Sequence, residues 1–161
     1  MSKGFGRGLV AVLALAWAAA RADGVPAFAD YAVTEKFAGP VAKLDLSTRR
    51  GREFRSALQD AAAQGPNFAG HYVLAQWGCG GGCFSWAVID ARTGKVWFAP
   101  FTVSAPECPE GAQFCDPSLE FKPDSELVVA TGARNEAGAG QYFYRWHEGK
   151  LWLVKAVERK P

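Results

Sequence analysis

Apolar positions along the chain change their period near residue 66. Upstream, Phe54, Leu58, Ala61 and Ala62 recur at i, i+4, i+7 and i+8, which places them on one side of a helix. The segment "TRRGREFRSALQDAAAQG" is therefore expected to form one amphipathic helix. Ser47 or Thr48 can cap its start, and Gly65-Pro66 ends it because proline cannot continue the hydrogen-bond ladder. Arg49, Arg50, Arg52 and Arg55 make the first turns basic. A solvated polar face accounts for them, with an anion-binding face as the sharper alternative. Residues 23–47 are mixed and punctuated by Pro and Gly, with one short extended piece around Tyr31 to Val33.

Downstream, the period falls to two and β-branched and aromatic residues dominate. Strands are expected at 71–77, 84–90, 95–101, 126–131, 141–147 and 151–157. "DARTGK" and "HEGK" separate neighbouring strands by short glycine-bearing turns, as hairpins require. The predicted architecture is α+β, an antiparallel β-meander sheet of about six strands with one N-terminal amphipathic helix packed on it. In "YFYRW", Tyr142, Tyr144 and Trp146 share one face and Phe143 and Arg145 the other. In a single-layered sheet one of those faces is exposed. The three aromatics are thus a candidate ligand platform, although core packing is the commoner fate of such residues. "TGARNEAGAG" reads as a loop of small residues presenting Arg134, Asn135 and Glu136, a second candidate binding element.

The first residues decide the compartment. Lys3 and Arg7 precede an uncharged apolar run from Leu9 to Ala20, and Ala20-Arg21-Ala22 has the small-x-small form of a cleavage site. Residues 1–22 are expected to be a signal peptide, leaving 23–161 as a single globular domain that is periplasmic or secreted. The run is shorter than the roughly 20 residues that span a bilayer. No second apolar span follows, so no membrane span is expected after signal removal. The whole chain carries a formal charge of +2. Lys3, Arg7 and Arg21 belong to the expected leader, so the remainder is close to neutral at −1. The basic footprint of a nucleic-acid binder is missing.

Export bears on Cys79, Cys83, Cys108 and Cys115. An even count in an oxidising compartment reads as a disulfide framework. Local pairing, Cys79 with Cys83 and Cys108 with Cys115, costs least in loop closure. Gly80-Gly81-Gly82 gives the first ring the backbone freedom it needs. A cross-pairing such as Cys83 with Cys108 stays open on sequence grounds.

Three motifs together carry a resemblance. They are Asn67-Phe68-Ala69-Gly70-His71-Tyr72, then Trp77-Gly78-Cys79-Gly80 with Gly82 and Cys83, then Ile89-Asp90 with Thr93-Gly94-Lys95-Val96. The chain resembles a family of uncharacterised exported bacterial proteins that carries this NFAGHY…WGCGxGC…IDxxTGKV pattern. The match covers roughly residues 55–100, and the segment around Cys108 and Cys115 is an elaboration outside it. The resemblance implies export and the sheet fold. It implies no activity.

The remaining chemistry is weighed residue by residue. Zinc would need four N/S ligands, and the sequence offers no second closely spaced Cys/His pair to join Cys79 and Cys83. A thioredoxin-type site needs C-x-x-C at a helix start, whereas this spacing is C-x-x-x-C on a glycine turn. A Cys/His hydrolase would pair Cys79 with His71, which the extended strand between them holds far apart. No G-x-S-x-G, H-E-x-x-H or P-loop is present. No metal or cofactor is therefore expected. The favoured reading is a small exported disulfide-stabilised domain that binds an unknown ligand or protein partner without catalysis. A Cys/His-type hydrolase or thiol-redox enzyme is the alternative, and His71 a further candidate binding residue.

Overall fold

The computed structural model describes residues 24–108, 111 and 115–159. The expected signal peptide and its cleavage site lie outside the described residues. The chain opens with a 3-10 turn at Phe28–Tyr31, then α1 (Arg49–Glu53) and α2 (Arg55–Ala63). Eight strands follow: β1 (Tyr72–Gly80), β2 (Cys83–Asp90), β3 (Val96–Phe98), β4 (Val103–Ser104), β5 (Ser118–Lys122), β6 (Ser125–Arg134), β7 (Ala137–His147) and β8 (Lys150–Glu158). All pair antiparallel in one open sheet of order β1-β2-β4-β6-β7-β8, with β3 beside β2 and β5 beside β6.

The expected antiparallel sheet with helical cover is present, but with eight strands in place of six. The two unforeseen strands, β4 and β5, are short. The expected single helix is interrupted at Phe54, whose backbone leaves the helical region at φ −100°, ψ 22°. The break aims the Phe54 ring at Trp77, 4.8 Å away, and at Phe98, 6.2 Å away. Thr48 supplies the cap, its hydroxyl accepting from the Gly51 amide at 3.0 Å. Phe54, Leu58, Ala61 and Ala62 pack as one stripe on Val73, Ala75, Ala87 and Ile89 of β1 and β2.

The opposite faces of β1 and β2 explain why no aromatic platform forms. β4 is a two-residue hinge strand bonded to β2 on one side and to β6 on the other. The sheet folds back there, so Leu74, Trp86 and Val88 from one half meet Val128, Ala130, Tyr142, Tyr144 and Trp146 from the other. This is the main core, and Phe68 is buried in it. The outer face of β6 and β7 is covered too, Leu127, Val129 and Phe143 packing on Phe28 and Tyr31. A sheet that doubles back leaves neither face of "YFYRW" bare.

"TGARNEAGAG" is a hairpin, not a loop. Arg134 ends β6, Ala137 begins β7, and Asn135 and Glu136 form a two-residue turn with φ of 51° and 64°. Both values are positive, as the favoured hairpin turn demands. The small residues serve close backbone approach. A Cβ at Gly132 would stand 2.6 Å from the Ser104 carbonyl, and one at Gly140 2.7 Å from the Val157 carbonyl. The edge strand β8 exposes Trp152, Leu153 and Val154.

Candidate functional site

The site is built at the end of the sheet where the β1–β2 turn, β4 and the β6–β7 turn converge. Gly80, Gly81 and Gly82 have φ of 93°, 54° and 73°, a run that side-chain-bearing residues resist. It lets the strands reverse within the ring closed by Cys79 and Cys83, whose Cα atoms are 5.1 Å apart. Cys108 and Cys115 form the second bridge, with Cα atoms 5.8 Å apart. Among the described residues no cysteine is free.

Between these parts lies a groove of about 890 Å³, lined by Cys79, Gly81, Cys83, Ser104, Glu107, Glu136 and Arg159 among others. Ser104 is only 5% exposed, and its Oγ has no hydrogen-bond partner. A hydroxyl in that state costs free energy unless something external satisfies it. Arg159 is fixed at several points. Its amide donates to the Ala139 carbonyl at 2.7 Å, and its guanidinium donates to the Glu107 carbonyl and to Cys108 Sγ, each at 2.9 Å. Cys115 Sγ is 3.8 Å from the same nitrogen. The groove thus offers one cation, two carboxylate side chains and a buried hydroxyl. A second groove of about 860 Å³, between residues 39–46 and α2, gathers no comparable set of converging polar groups.

The other candidate residues fall into separate places. Arg134 stacks on Tyr142 with its guanidinium carbon 3.6 Å from the ring centre, donates to Tyr144 Oη at 2.8 Å and faces Glu158 at 3.6 Å. Burial raises the Tyr144 hydroxyl above its ordinary pKa of 10.0 although Arg134 pulls it down. Tyr142, Tyr144 and Trp146 are 1%, 5% and 4% exposed, so they form core rather than an open platform. Asn135 ties the hairpin tip to the approach of β4, accepting from the Thr102 amide at 3.0 Å and donating its own amide to the Thr102 carbonyl at 3.1 Å. Of the six residues expected around these two elements, Glu136 alone lines the disulfide groove.

His71 sits at the far end of β1. A strand of nine residues at about 3.3 Å per residue puts it roughly 25 Å from the Cys79 turn. Its imidazole faces carboxylates. Nδ1 is 3.2 Å from Glu35 Oε2 but outside hydrogen-bond geometry, and Nε2 is 4.0 Å from Asp90 Oδ1. Arg92 pairs with the other Glu35 oxygen. Asp90 is engaged by its own turn, accepting from the Arg92 amide at 2.8 Å and from Thr93 Oγ1 at 2.9 Å.

A second carboxylate–histidine group went unanticipated. Glu126 accepts from Arg145 Nε at 2.7 Å and contacts His147 Nδ1 at 3.0 Å. Burial alone would raise the Glu126 pKa, but the hydrogen bonds from His147 and Arg145 outweigh it and hold the carboxyl below its ordinary 4.5. The β6–β7 register sets Arg145 opposite Leu127, the chain neighbour of Glu126, so the contact is readable only once that register is known. Among the described residues no three His, Cys, Asp or Glu side chains are placed to hold a metal ion. No helix of the described residues is long and apolar enough to cross a membrane. No family model matches the sequence, and no curated protein and no solved structure matches it either.

Proposed function

We propose that this is an exported, disulfide-stabilised domain that binds a small polar ligand, or a short segment of a partner, without catalysis. The groove between the β1–β2 turn, β4 and the β6–β7 turn is its site. The observation that carries this is Ser104, a buried hydroxyl lacking a partner on the wall of a groove that also presents Arg159, Glu107 and Glu136. A ligand bearing both a positive and a negative group suits that wall, since each would meet its opposite. Two disulfides support an oxidising, periplasmic or secreted setting, as does the resemblance to exported proteins. Against the hydrolase alternative, Cys79 is committed to a bridge and His71 stands at the other end of β1.

The test is a nitrogen-15 NMR titration with a panel of free amino acids and dipeptides, which are zwitterions. Saturable shifts centred on Gly80, Gly81, Ala105 and Gly138, weakened by Ser104→Ala and Glu136→Gln, are expected. Saturable binding centred on His71 instead, or none by any probe in the panel, would overturn the assignment.

A further inference from the structure

We propose that the Cys108–Cys115 bridge is an electron-accepting disulfide, poised by Arg159 to oxidise thiols, whereas the Cys79–Cys83 bridge is structural. This goes beyond ligand binding in the groove and does not depend on it.

The argument rests on where the guanidinium stands. Arg159 Nη1 is 2.9 Å from Cys108 Sγ and 3.8 Å from Cys115 Sγ. A neutral disulfide sulfur is a weak acceptor and gains little from a cation. A thiolate in the same position gains a charge-assisted hydrogen bond. Arg159 therefore stabilises the reduced state over the oxidised one, which lowers the Cys108 thiol pKa and makes the bridge a stronger oxidant. The cation is held there by main-chain anchors, its amide on the Ala139 carbonyl and Nη2 on the Glu107 carbonyl. Glu107 and Glu136 line the same groove and oppose the effect from a distance, but neither replaces the contact at sulfur. Cys108 and Cys115 are both part-exposed residues.

The reaction balances with thiols alone. A thiolate RS⁻ attacks Cys115 Sγ and forms the RS–Sγ bond. The Cys108–Cys115 bond breaks, and its electron pair leaves on Cys108 Sγ as a thiolate against Arg159. A second thiolate attacks the RS sulfur of the mixed disulfide, releasing RSSR. The Cys115 thiolate set free takes a proton from water. Two thiolates are oxidised to RSSR by loss of two electrons, and the protein disulfide is reduced to a thiolate at Cys108 and a thiol at Cys115.

The experiment equilibrates the oxidised protein in glutathione buffers, traps thiols by differential alkylation and reads each cysteine pair by peptide mass spectrometry. Cys79–Cys83 is the reference within the same molecule. Arg159→Gln is expected to shift the Cys108–Cys115 midpoint roughly tenfold in the glutathione ratio toward the reduced side, about 30 mV, leaving Cys79–Cys83 unmoved. Arg159→Lys should recover part of the shift. A second reading needs no variant: in reduced wild-type protein, the pH profile of iodoacetamide alkylation should give Cys108 a midpoint below the ordinary thiol value of about 8.5. A reduced cysteine-containing peptide in place of glutathione shows whether protein thiols are accepted as well as small ones. An unchanged or equal shift of both pairs in Arg159→Gln, or a Cys108 midpoint at or above the ordinary value, would overturn the proposal.

Discussion

Replacing Phe68 with alanine tests the doubled-back sheet, because this side chain lies where the two halves meet. Phe68 is 0% exposed. Its ring meets Phe121 edge-on at 6.2 Å and lies 6.4 Å from Tyr72, within the cluster that includes Trp86, Val128 and Tyr142. Its main chain also bridges to Tyr72, accepting from that amide at 2.9 Å and donating to its carbonyl at 3.0 Å. Those two bonds survive in Phe68→Ala, so the loss comes from the ring alone. A buried aromatic of about 150–200 Å² at about 25 cal/mol per Å² is worth roughly 4–5 kcal/mol, and such truncations cost about 3–5 kcal/mol. Urea unfolding of the oxidised protein is the assay. With an m-value of about 2 kcal/mol/M, the midpoint should fall by about 2 M. Phe68→Leu, which keeps most of the volume, should cost less than about 1.5 kcal/mol. A loss below about 1 kcal/mol for the alanine variant would refute the placement of Phe68 between the halves.

Leu58→Ala should cost about 2–5 kcal/mol by the same assay, since Leu58 is the buried residue of α2, while Arg52→Ala on the exposed side should cost under about 0.5 kcal/mol. Glu126→Gln should cost about 0.5–1 kcal/mol at pH 7, because its partners Arg145 and His147 are both more than a third exposed. Its folded carboxyl is below the ordinary 4.5, so its contribution is present above that pH and is lost as pH falls through the lower folded value. The gap between wild type and Glu126→Gln should therefore close in acid, and a gap that widens below pH 4 would contradict the pairing. Ser104→Ala should leave stability unchanged or raise it slightly, since the hydroxyl has no internal partner to lose. A loss above about 1 kcal/mol would mean that Ser104 is part of the fold instead of a hydroxyl left for a ligand.

The helix stripe was legible because Phe54, Leu58, Ala61 and Ala62 keep helical spacing and all pack on β1 and β2. The strands flanking "DARTGK" and "HEGK" were legible through their alternation and turn glycines. The alternation in "YFYRW" was read correctly as two faces, but whether either is exposed depends on the fold-back at β4. A strand of two residues, Val103–Ser104, is too short to leave a periodic signal. "TGARNEAGAG" misled for a physical reason: glycine and alanine at Gly132, Ala133 and Gly140 mark loops in most contexts, and here they permit tight strand packing. The disulfide turn was visible as chemistry, yet the groove was not. Glu136 and Arg159 lie 53 and more residues from Cys83, and only the β4 hinge and the β7–β8 pairing gather them.

The Cys79–Cys83 bridge closes the β1–β2 turn on the groove wall and the Cys108–Cys115 bridge meets Arg159 beside it, and disulfide mapping of unreduced protein checks both pairings at once. Trypsin leaves Cys79 and Cys83 together on residues 56–92, and Cys108 and Cys115 together on 96–134, because Pro123 protects the bond after Lys122. The account predicts two separate peptides, each about 2 Da lighter than its reduced form. A single cross-linked species joining 56–92 to 96–134, or an alkylatable thiol at any of the four cysteines, would contradict it.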